Sequence, residues 1–197
     1  MSDYPEIFVL RHGQTEWNLA GRYQGRLNSP LTEQGRAQAR EQSEILTLLL
    51  QGRRDLSACC SPQDRAVDTA AIALSGVGLT AQSDDRLCEI AFGKWQGLTF
   101  DEISKDWPEL CKIADQDRFA WNFQAPGGET FQDVSVRVKS FLDSLTGPTV
   151  IVTHGVTSKV LRGLWLGVGQ DEMHGLGGGQ GCVYHLNDGV QKRYPAI

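Results

Sequence analysis

Short runs of apolar, β-prone residues alternate with longer amphipathic segments along most of this chain. The apolar runs predict extended segments near residues 7–10, 56–60, 79–85, 149–153 and 182–186. Apolar residues at helical spacing predict helices that begin near Thr32, Pro62, Thr130 and Thr157. Because strands and helices alternate, we predict an α/β fold with three layers, α/β/α, built on a mostly parallel, doubly wound sheet.

One segment does not follow this alternation. Residues from about 98 to 126 are irregular and rich in aromatic side chains, among them Trp107, Phe119 and Trp121. We predict a small lid insertion there, whose aromatic residues form a core of their own and whose underside meets the non-phosphate half of a substrate. The cations of this region are predicted to be solvated rather than to form a second anion site; they are Lys105, Lys112 and Arg118.

Length and composition indicate an ordinary globular protein. The chain has 197 residues and a mass of 21.7 kDa, which fits a single domain over 1–197, with or without a lid. The net charge of −5 argues against nucleic acid as a partner, and the apolar runs are too short for a membrane span. The amino terminus lacks the plan of a signal peptide, so the cytoplasm is the expected location.

The five cysteines are odd in number and have no C-x-x-C spacing. This pattern favours reduced, mostly buried thiols over a disulfide framework or a metal site. We therefore predict neither a metal nor another cofactor.

Two of the predicted strands end in a histidine followed by a glycine. The first runs into Arg11, His12 and Gly13, and a later one runs into His154 and Gly155. A single Arg-His-Gly could be an ordinary turn with a solvated arginine, but two such strand ends are hard to explain by packing. The carboxyl ends of parallel strands share one edge of a sheet, where ligands bind. Histidine can attack or shuttle protons near neutral pH, and arginine suits phosphate, so the pattern suggests phosphoryl chemistry.

The stretch from Leu10 to Asn18 resembles the Arg-His-Gly-x-Thr-x-x-Asn signature of the histidine phosphatase superfamily, the phosphoglycerate-mutase-like proteins. The resemblance continues in order through most of the chain. It includes Gln24-Gly25, Ser61-Pro62 with Arg65, a Leu-x-Glu segment with Glu89, Pro126-Gly127-Gly128-Glu129, and His154-Gly155. In isolation, Arg65 and Glu89 would be read as surface residues.

The resemblance implies a role for each matched residue. His12 would be the nucleophile and Glu89 the general acid, while Arg11, Arg65 and a protonated His154 would stabilise the phosphoryl oxygens. Asn18, Gln24 and Gly25 would complete the phosphate cradle. The first N–H groups of the helix after His154 would also bind phosphate, which assigns Gly155 and Val156 to the substrate site.

Several positions depart from the family pattern or lie outside it. Relatives often have His-Gly-Gly-x-x-Arg where this chain has Val156 and Lys159, and Asn28 stands where an aspartate is usual. The glycine-rich segment 175–181 precedes a strand, so it is predicted to be a mobile loop rather than a phosphate loop. His174 and His185 are predicted to be structural or solvent-exposed.

Three functions are compatible with this pattern. The first is a metal-independent phosphomonoesterase of the histidine acid phosphatase type, which would act on a small phosphorylated metabolite through a phosphohistidine. The second is phosphoryl transfer of the phosphoglycerate mutase type, which the short chain disfavours. The third is a non-catalytic phosphate-binding sensor, disfavoured because all the matching positions are filled. The resemblance also implies a possible homodimer.

Overall fold

One mixed sheet forms the centre of the computed structural model, which describes residues 4–195. Its six strands within those residues are β1 (Ile7–Arg11), β2 (Ser57–Cys60), β3 (Gln82–Ser83), β4 (Thr149–Thr153), β5 (Val183–Asn187) and β6 (Val190–Tyr194). The order across the sheet is β3-β2-β4-β1-β5-β6. Strands β3, β2, β4 and β1 are parallel to one another. Strand β5 is antiparallel to both β1 and β6. The mostly parallel sheet is thus confirmed.

The helices of the described chain lie before, between and after these strands. They are α1 (Glu16–Leu19), α2 (Glu33–Leu50), α3 (Asp64–Ser75), α4 (Phe100–Asp106), α5 (Pro108–Gln116), α6 (Arg118–Trp121), α7 (Phe131–Asp143), α8 (Gly155–Leu166) and α9 (Gln170–Met173). The hydroxyl of Thr32 accepts the N–H of Gly35 and caps α2, as predicted. Helix α8 begins at Gly155, two residues before the predicted start.

Successive side chains of the buried strands point to opposite faces of the sheet, and helices cover both faces. Phe8 and Leu10 of β1 face one side of the sheet and pack with apolar residues of α2 and α3. Ile7 and Val9 face the other side and pack with residues of α7 and α8. Both faces of β1 are therefore covered, which explains its continuous apolar sequence.

The predicted lid segment is helical and contains α4, α5 and α6. The rings of Trp95 and Trp121 stack with their centroids 4.4 Å apart, and Tyr23 contacts Trp121 edge to face. The expectation of a separate core is wrong, because Phe119 and Trp121 pack in the same apolar cluster as Val9 of the sheet. Whether the segment opens and closes as a lid stays a prediction.

Strand β6 was not predicted. It follows a tight turn in which Asp188 has a φ of 51° and Gly189 a φ of 74°. Positive φ at both central residues is the mark of a hairpin turn, and an Asp-Gly pair favours it. The polar sequence of β6, at the edge of the sheet, conceals the strand from a search for apolar runs.

Two expectations from composition can be compared with this structure. All five cysteines are free, and Cys60, Cys88 and Cys182 are buried, as predicted. Over residues 4–195, no helix has both the length and the apolar character needed to cross a bilayer.

Candidate active site

The two histidines lie together at the carboxyl edge of the sheet. Strands β1 and β4 are parallel neighbours in which Arg11 is opposite Thr153, so the next residue of each strand lies at the same level. The ring centroids of His12 and His154 are 5.1 Å apart, and only 3% and 0% of the two residues is exposed. The predicted convergence of the two strand ends is therefore observed.

One hydrogen bond fixes the tautomer of His12. Its Nδ1 lies 2.7 Å from the carbonyl oxygen of Gly13, and a carbonyl can only accept. Nδ1 therefore carries the proton, and Nε2 of the neutral ring keeps its lone pair. Burial, together with the charges of Arg11 and Arg65, lowers the pKa of His12 well below its ordinary value. The ring is therefore neutral and has a fixed orientation, with an unprotonated Nε2.

The loop that carries His12 packs directly against the start of α2. A Cβ atom on Gly13 would overlap the backbone carbonyl of Gly35, and one on Gly35 would overlap the carbonyl of Gln14. The N–H of Gly13 also donates to the hydroxyl of Thr69 over 3.0 Å. Close backbone contact thus holds the loop that presents His12.

The ring of His154 is buried. Both ring nitrogens are buried and have no hydrogen-bond partner among residues 4–195. Burial, reinforced by Arg65, His12 and Arg11, lowers the pKa of His154 well below its ordinary value. Desolvation and nearby cations thus favour the neutral ring in the absence of an anion, and protonation beside a phosphoryl group stays a prediction. An anionic group beside it would act in the opposite direction.

The two arginines are held differently. Arg65 donates from Nη1 to the carbonyl of Leu27 over 2.7 Å and from Nη2 to that of Gly25 over 2.8 Å, and burial lowers its pKa to about 10. The guanidinium of Arg11 packs on Gly155, where an added Cβ would lie 3.3 Å from Cζ. The Nε atoms of both arginines are buried and lack a partner in the described part of the chain. Both guanidinium groups thus retain donors for an anion.

Glu89 caps the amino terminus of α8. Its Oε1 accepts the N–H of Thr157 over 3.1 Å, and its Oε2 accepts the N–H of Val156 over 3.2 Å. The N–H of Ile90 also donates to Oε1 over 3.0 Å, while the hydroxyl of Thr157 donates to the carbonyl of Cys88 over 2.8 Å. The Val156 N–H is thus engaged by the carboxylate in the absence of a ligand, and its binding to phosphate stays a prediction.

The cradle residues are ordered by a chain of side-chain hydrogen bonds. Thr15 caps α1, and Oδ1 of Asn18 accepts the N–H of Thr15 over 3.2 Å and the Nε2 of Gln180 over 3.1 Å. Nε2 of Gln24 donates to the Thr15 hydroxyl over 2.7 Å. With its oxygen engaged in this way, Asn18 has its Nδ2 available as a donor to an anion.

Comparison with known proteins identifies the family. The sequence profile described as "Histidine phosphatase superfamily (branch 1)" matches residues 7–193. The chain belongs to the histidine phosphatase superfamily. Relatives of this superfamily include a glucosyl-3-phosphoglycerate phosphatase of Mycobacterium tuberculosis, 36% identical over 76% of this chain and 70% of its own. Phosphoserine phosphatase 1 of Hydrogenobacter thermophilus is 31% identical over 83% of this chain and 77% of its own.

Relatives differ from this chain in length, and several solved structures share its fold. It spans about half, 46%, of a bifunctional protein of Mycobacterium tuberculosis that is 38% identical over 86% of this chain. A mycobacterial glucosyl-3-phosphoglycerate phosphatase matches with a TM-score of 0.79 and 31% identity, over 97% of this chain and 98% of its own. The α-ribazole phosphatase of Shigella flexneri matches with a TM-score of 0.79 and 26% identity, over 97% and 95%.

This histidine phosphatase superfamily member also has site residues that sequence reasoning missed. Gln63, buried on the segment before α3, donates to the carbonyl of Gly25 and accepts the N–H of Glu89, each over 2.8 Å. Gln180 donates to the carbonyl of His12 over 3.1 Å and so fixes part of the glycine-rich loop. Arg162 is buried and donates to the carbonyl of Gly177. A polar residue inside an apolar helical face was the signal that could have revealed Arg162.

The site opens into a cavity of about 400 Å³. The matched residues line its inner end, and Tyr23, Phe92 and Phe119 line its outer part. Arg118 is exposed, as predicted, but also lines the cavity mouth. Among the residues described, no three His, Cys, Asp or Glu side chains are grouped as a metal site requires.

Proposed function

We propose that the protein hydrolyses phosphomonoesters of small metabolites in two displacements, with His12 as the nucleophile. The observation that carries this proposal is the 2.7 Å contact between Nδ1 of His12 and the Gly13 carbonyl, which leaves Nε2 unprotonated beside two arginines. Membership of the superfamily and the phosphatase names of its relatives support the same reaction.

In the first step, Nε2 of His12 attacks phosphorus, a P–N bond forms and the P–O bond to the alcohol breaks. Charge develops on the three equatorial oxygens, which Arg11, Arg65 and Asn18 stabilise through their available donors. The negative charge of the phosphoryl group raises the proton affinity of His154, which then donates a further hydrogen bond.

Glu89 supplies the proton to the leaving oxygen. Its Oε1 accepts the N–H groups of Ile90 and Thr157, but Oε2 accepts only the Val156 N–H at 3.2 Å and keeps a position for a proton. In the second step, Glu89 takes a proton from water, the water oxygen bonds to phosphorus and the P–N bond breaks. One carboxyl group therefore serves both steps.

The deciding experiment combines phosphate release with isolation of the intermediate. Wild type and His12→Ala are given a panel of phosphomonoesters with a chelator present, and vanadate serves as a competitor because a mycobacterial relative was solved in complex with VO3. We expect selective turnover and an acid-labile phosphoenzyme in wild type, and neither in His12→Ala. Turnover that survives in His12→Ala contradicts the proposed nucleophile.

Two other outcomes favour the alternative functions. Isomerisation of phosphoglycerate without phosphate release favours the mutase, and tight binding of phosphorylated ligands without phosphoenzyme favours the sensor. A pH optimum well below neutrality tests the acid phosphatase type. A homodimer and a cytoplasmic location stay predictions, which sedimentation and fractionation test.

A further inference from the structure

The outer part of the active-site cavity has the character of a second binding site. A phosphoryl group at His12 fills only a fraction of the 400 Å³, and aromatic rings and cations surround the remainder. The aromatic side chains of Tyr23, Phe92 and Phe119 can cover a carbon skeleton. The cations beside them are therefore candidates for recognising a charged group on that skeleton.

Lys159 lies on the wall that α8 contributes. It follows Gly155 by four residues, so its side chain leaves the same face about 6 Å farther from the phosphate end. Its ammonium group donates to the carbonyl of His174 over 3.3 Å and lies 5.6 Å from the centre of the Phe119 ring. An ammonium group has three donors, so two are available. No carboxylate forms a salt bridge with Lys159 within residues 4–195.

Arg118 lies on the lid segment and lines the same cavity. Its guanidinium packs on the rings of Phe100 and Trp121, at 4.7 and 5.2 Å from their centres, and donates to the hydroxyl of Tyr23 over 3.2 Å. It too has no carboxylate partner in the part of the chain that the structure describes. Arg22, which also lines the cavity, differs because it pairs with Glu102 over 2.9 Å.

The acid near Lys159 is already engaged. Asp117 accepts the N–H groups of Phe119 and Ala120 and pairs with Nδ1 of His174 over 3.0 Å. Burial, and then the charge of Arg162, lowers the pKa of Lys159, whereas Asp117 raises it. A half-buried cation with donors to spare is unfavourable unless an anion joins it.

We propose that Lys159 and Arg118 bind an anionic group, a carboxylate or a second phosphate, on the alcohol portion of the substrate. The inference rests on the proposed function, because the first phosphate must lie at His12. The preferred substrate is then a phosphomonoester whose leaving alcohol is itself negatively charged, with its skeleton against the aromatic wall.

Matched substrate pairs test this subsite. 3-Phosphoglycerate and glycerol 3-phosphate differ only in a carboxylate against a hydroxymethyl group, and 1,3-propanediol bisphosphate and 3-hydroxypropyl phosphate differ in a second phosphate. For each pair, the ratio of kcat/KM is measured in wild type, Lys159→Met, Arg118→Met and the control Lys105→Met, which removes an exposed lid cation outside the cavity.

We expect wild type to prefer the anionic member of one pair, and Lys159→Met to reduce that preference about tenfold or more. The preferred pair identifies the anion as carboxylate or phosphate, and Lys105→Met should keep the wild-type ratio. Wild type without preference in either pair, or an unchanged ratio in Lys159→Met, overturns the proposal.

A binding measurement tests the subsite independently of catalysis. Calorimetry on His12→Ala, with and without Lys159→Met, compares the affinities for the two members of each pair. If no phosphoenzyme ever forms, the proposed function fails, yet a selective loss of affinity for the anionic member still supports the subsite. Equal losses for both members count against it.

Discussion

The side-chain oxygen of Gln63 accepts the backbone N–H of Glu89 over 2.8 Å. The amide nitrogen of the same side chain donates to the carbonyl of Gly25, which also accepts a hydrogen bond from Arg65. Gln63 therefore joins the segment that carries the candidate acid to the loop that forms the phosphate cradle.

The substitution Gln63→Leu should impair catalysis by displacing Glu89 and the loop of the phosphate cradle. The change leaves the buried N–H of Glu89 without a partner, which costs about 1–3 kcal/mol, and removes one of the two donors to the Gly25 carbonyl, so both segments can shift. We expect kcat/KM to fall about tenfold or more, with the larger loss on alkyl phosphates, whose departure needs the acid. Kinetics on an alkyl and an aryl phosphate check this, and equal loss on both would indicate a purely structural role.

Glu89→Gln should slow the reaction according to the leaving group. The amide oxygen must face the two N–H donors at Oε1, so the amide N–H group faces the N–H of Val156 and cannot deliver a proton as an acid. We expect a loss of roughly 10²–10⁴-fold for glycerol 3-phosphate and a much smaller one for 4-nitrophenyl phosphate. Glu109→Gln, an exposed change on α5, is the matched control. A uniform loss across leaving groups would argue against Glu89 as the acid.

Stability should fall as the pH decreases through the ordinary histidine range. The pKa values of His12 and His154 are well below 6.5 in the folded protein, so below pH 6.5 the unfolded chain binds more protons than the folded one. Above pH 6.5 these histidines do not change the free energy of unfolding with pH. Below pH 6.5, each lowers the free energy of unfolding by up to about 1.4 kcal/mol for each pH unit of acidification.

Denaturant unfolding between about pH 5.5 and 7.5, a window above most carboxyl titrations, measures this slope. His154→Asn should lower this slope by up to one proton. An unchanged slope in His154→Asn would show that this histidine does not titrate as inferred.

Anion binding should be coupled to proton uptake. A dianion beside His154 opposes the desolvation and the neighbouring cations that keep the ring neutral. We expect sulfate, which does not itself titrate near neutrality, to bind at pH 7 with uptake of up to about one proton per site. Calorimetry in two buffers of different ionisation enthalpy measures the uptake. Sulfate binding without proton uptake, or the same uptake in His154→Asn, would contradict the assignment.

The sequence predicted the positions of the two site histidines, because each directly follows a buried strand. A run of apolar residues that stops at His12 or His154 indicates both the strand and its reactive end, and parallel pairing then brings the two residues together. Local pattern was enough for the two histidines. Arg65 was assigned to the site by the family resemblance, since its local sequence alone is that of a surface residue.

The contacts that escaped prediction depend on distant segments. Glu89 meets the start of α8 across 67 and 68 residues of sequence, and Gln180 meets His12 across 168. Nothing in the local sequence tells which backbone group an amide or a carboxylate will find. The contact between the Val156 N–H and Glu89 could not be predicted for this reason, since the acid lies on another segment.

The contact between Gly13 and Gly35 restricts how this sequence can diverge. A side chain at Gly13 would overlap the peptide of Gly35, and one at Gly35 would overlap the peptide of Gln14. Neither glycine has a side chain to lose, so no second substitution at the partner position can relieve the first. Substitution of either glycine is therefore excluded as long as the His12 loop keeps its place. Sequence changes in this region must occur at other residues.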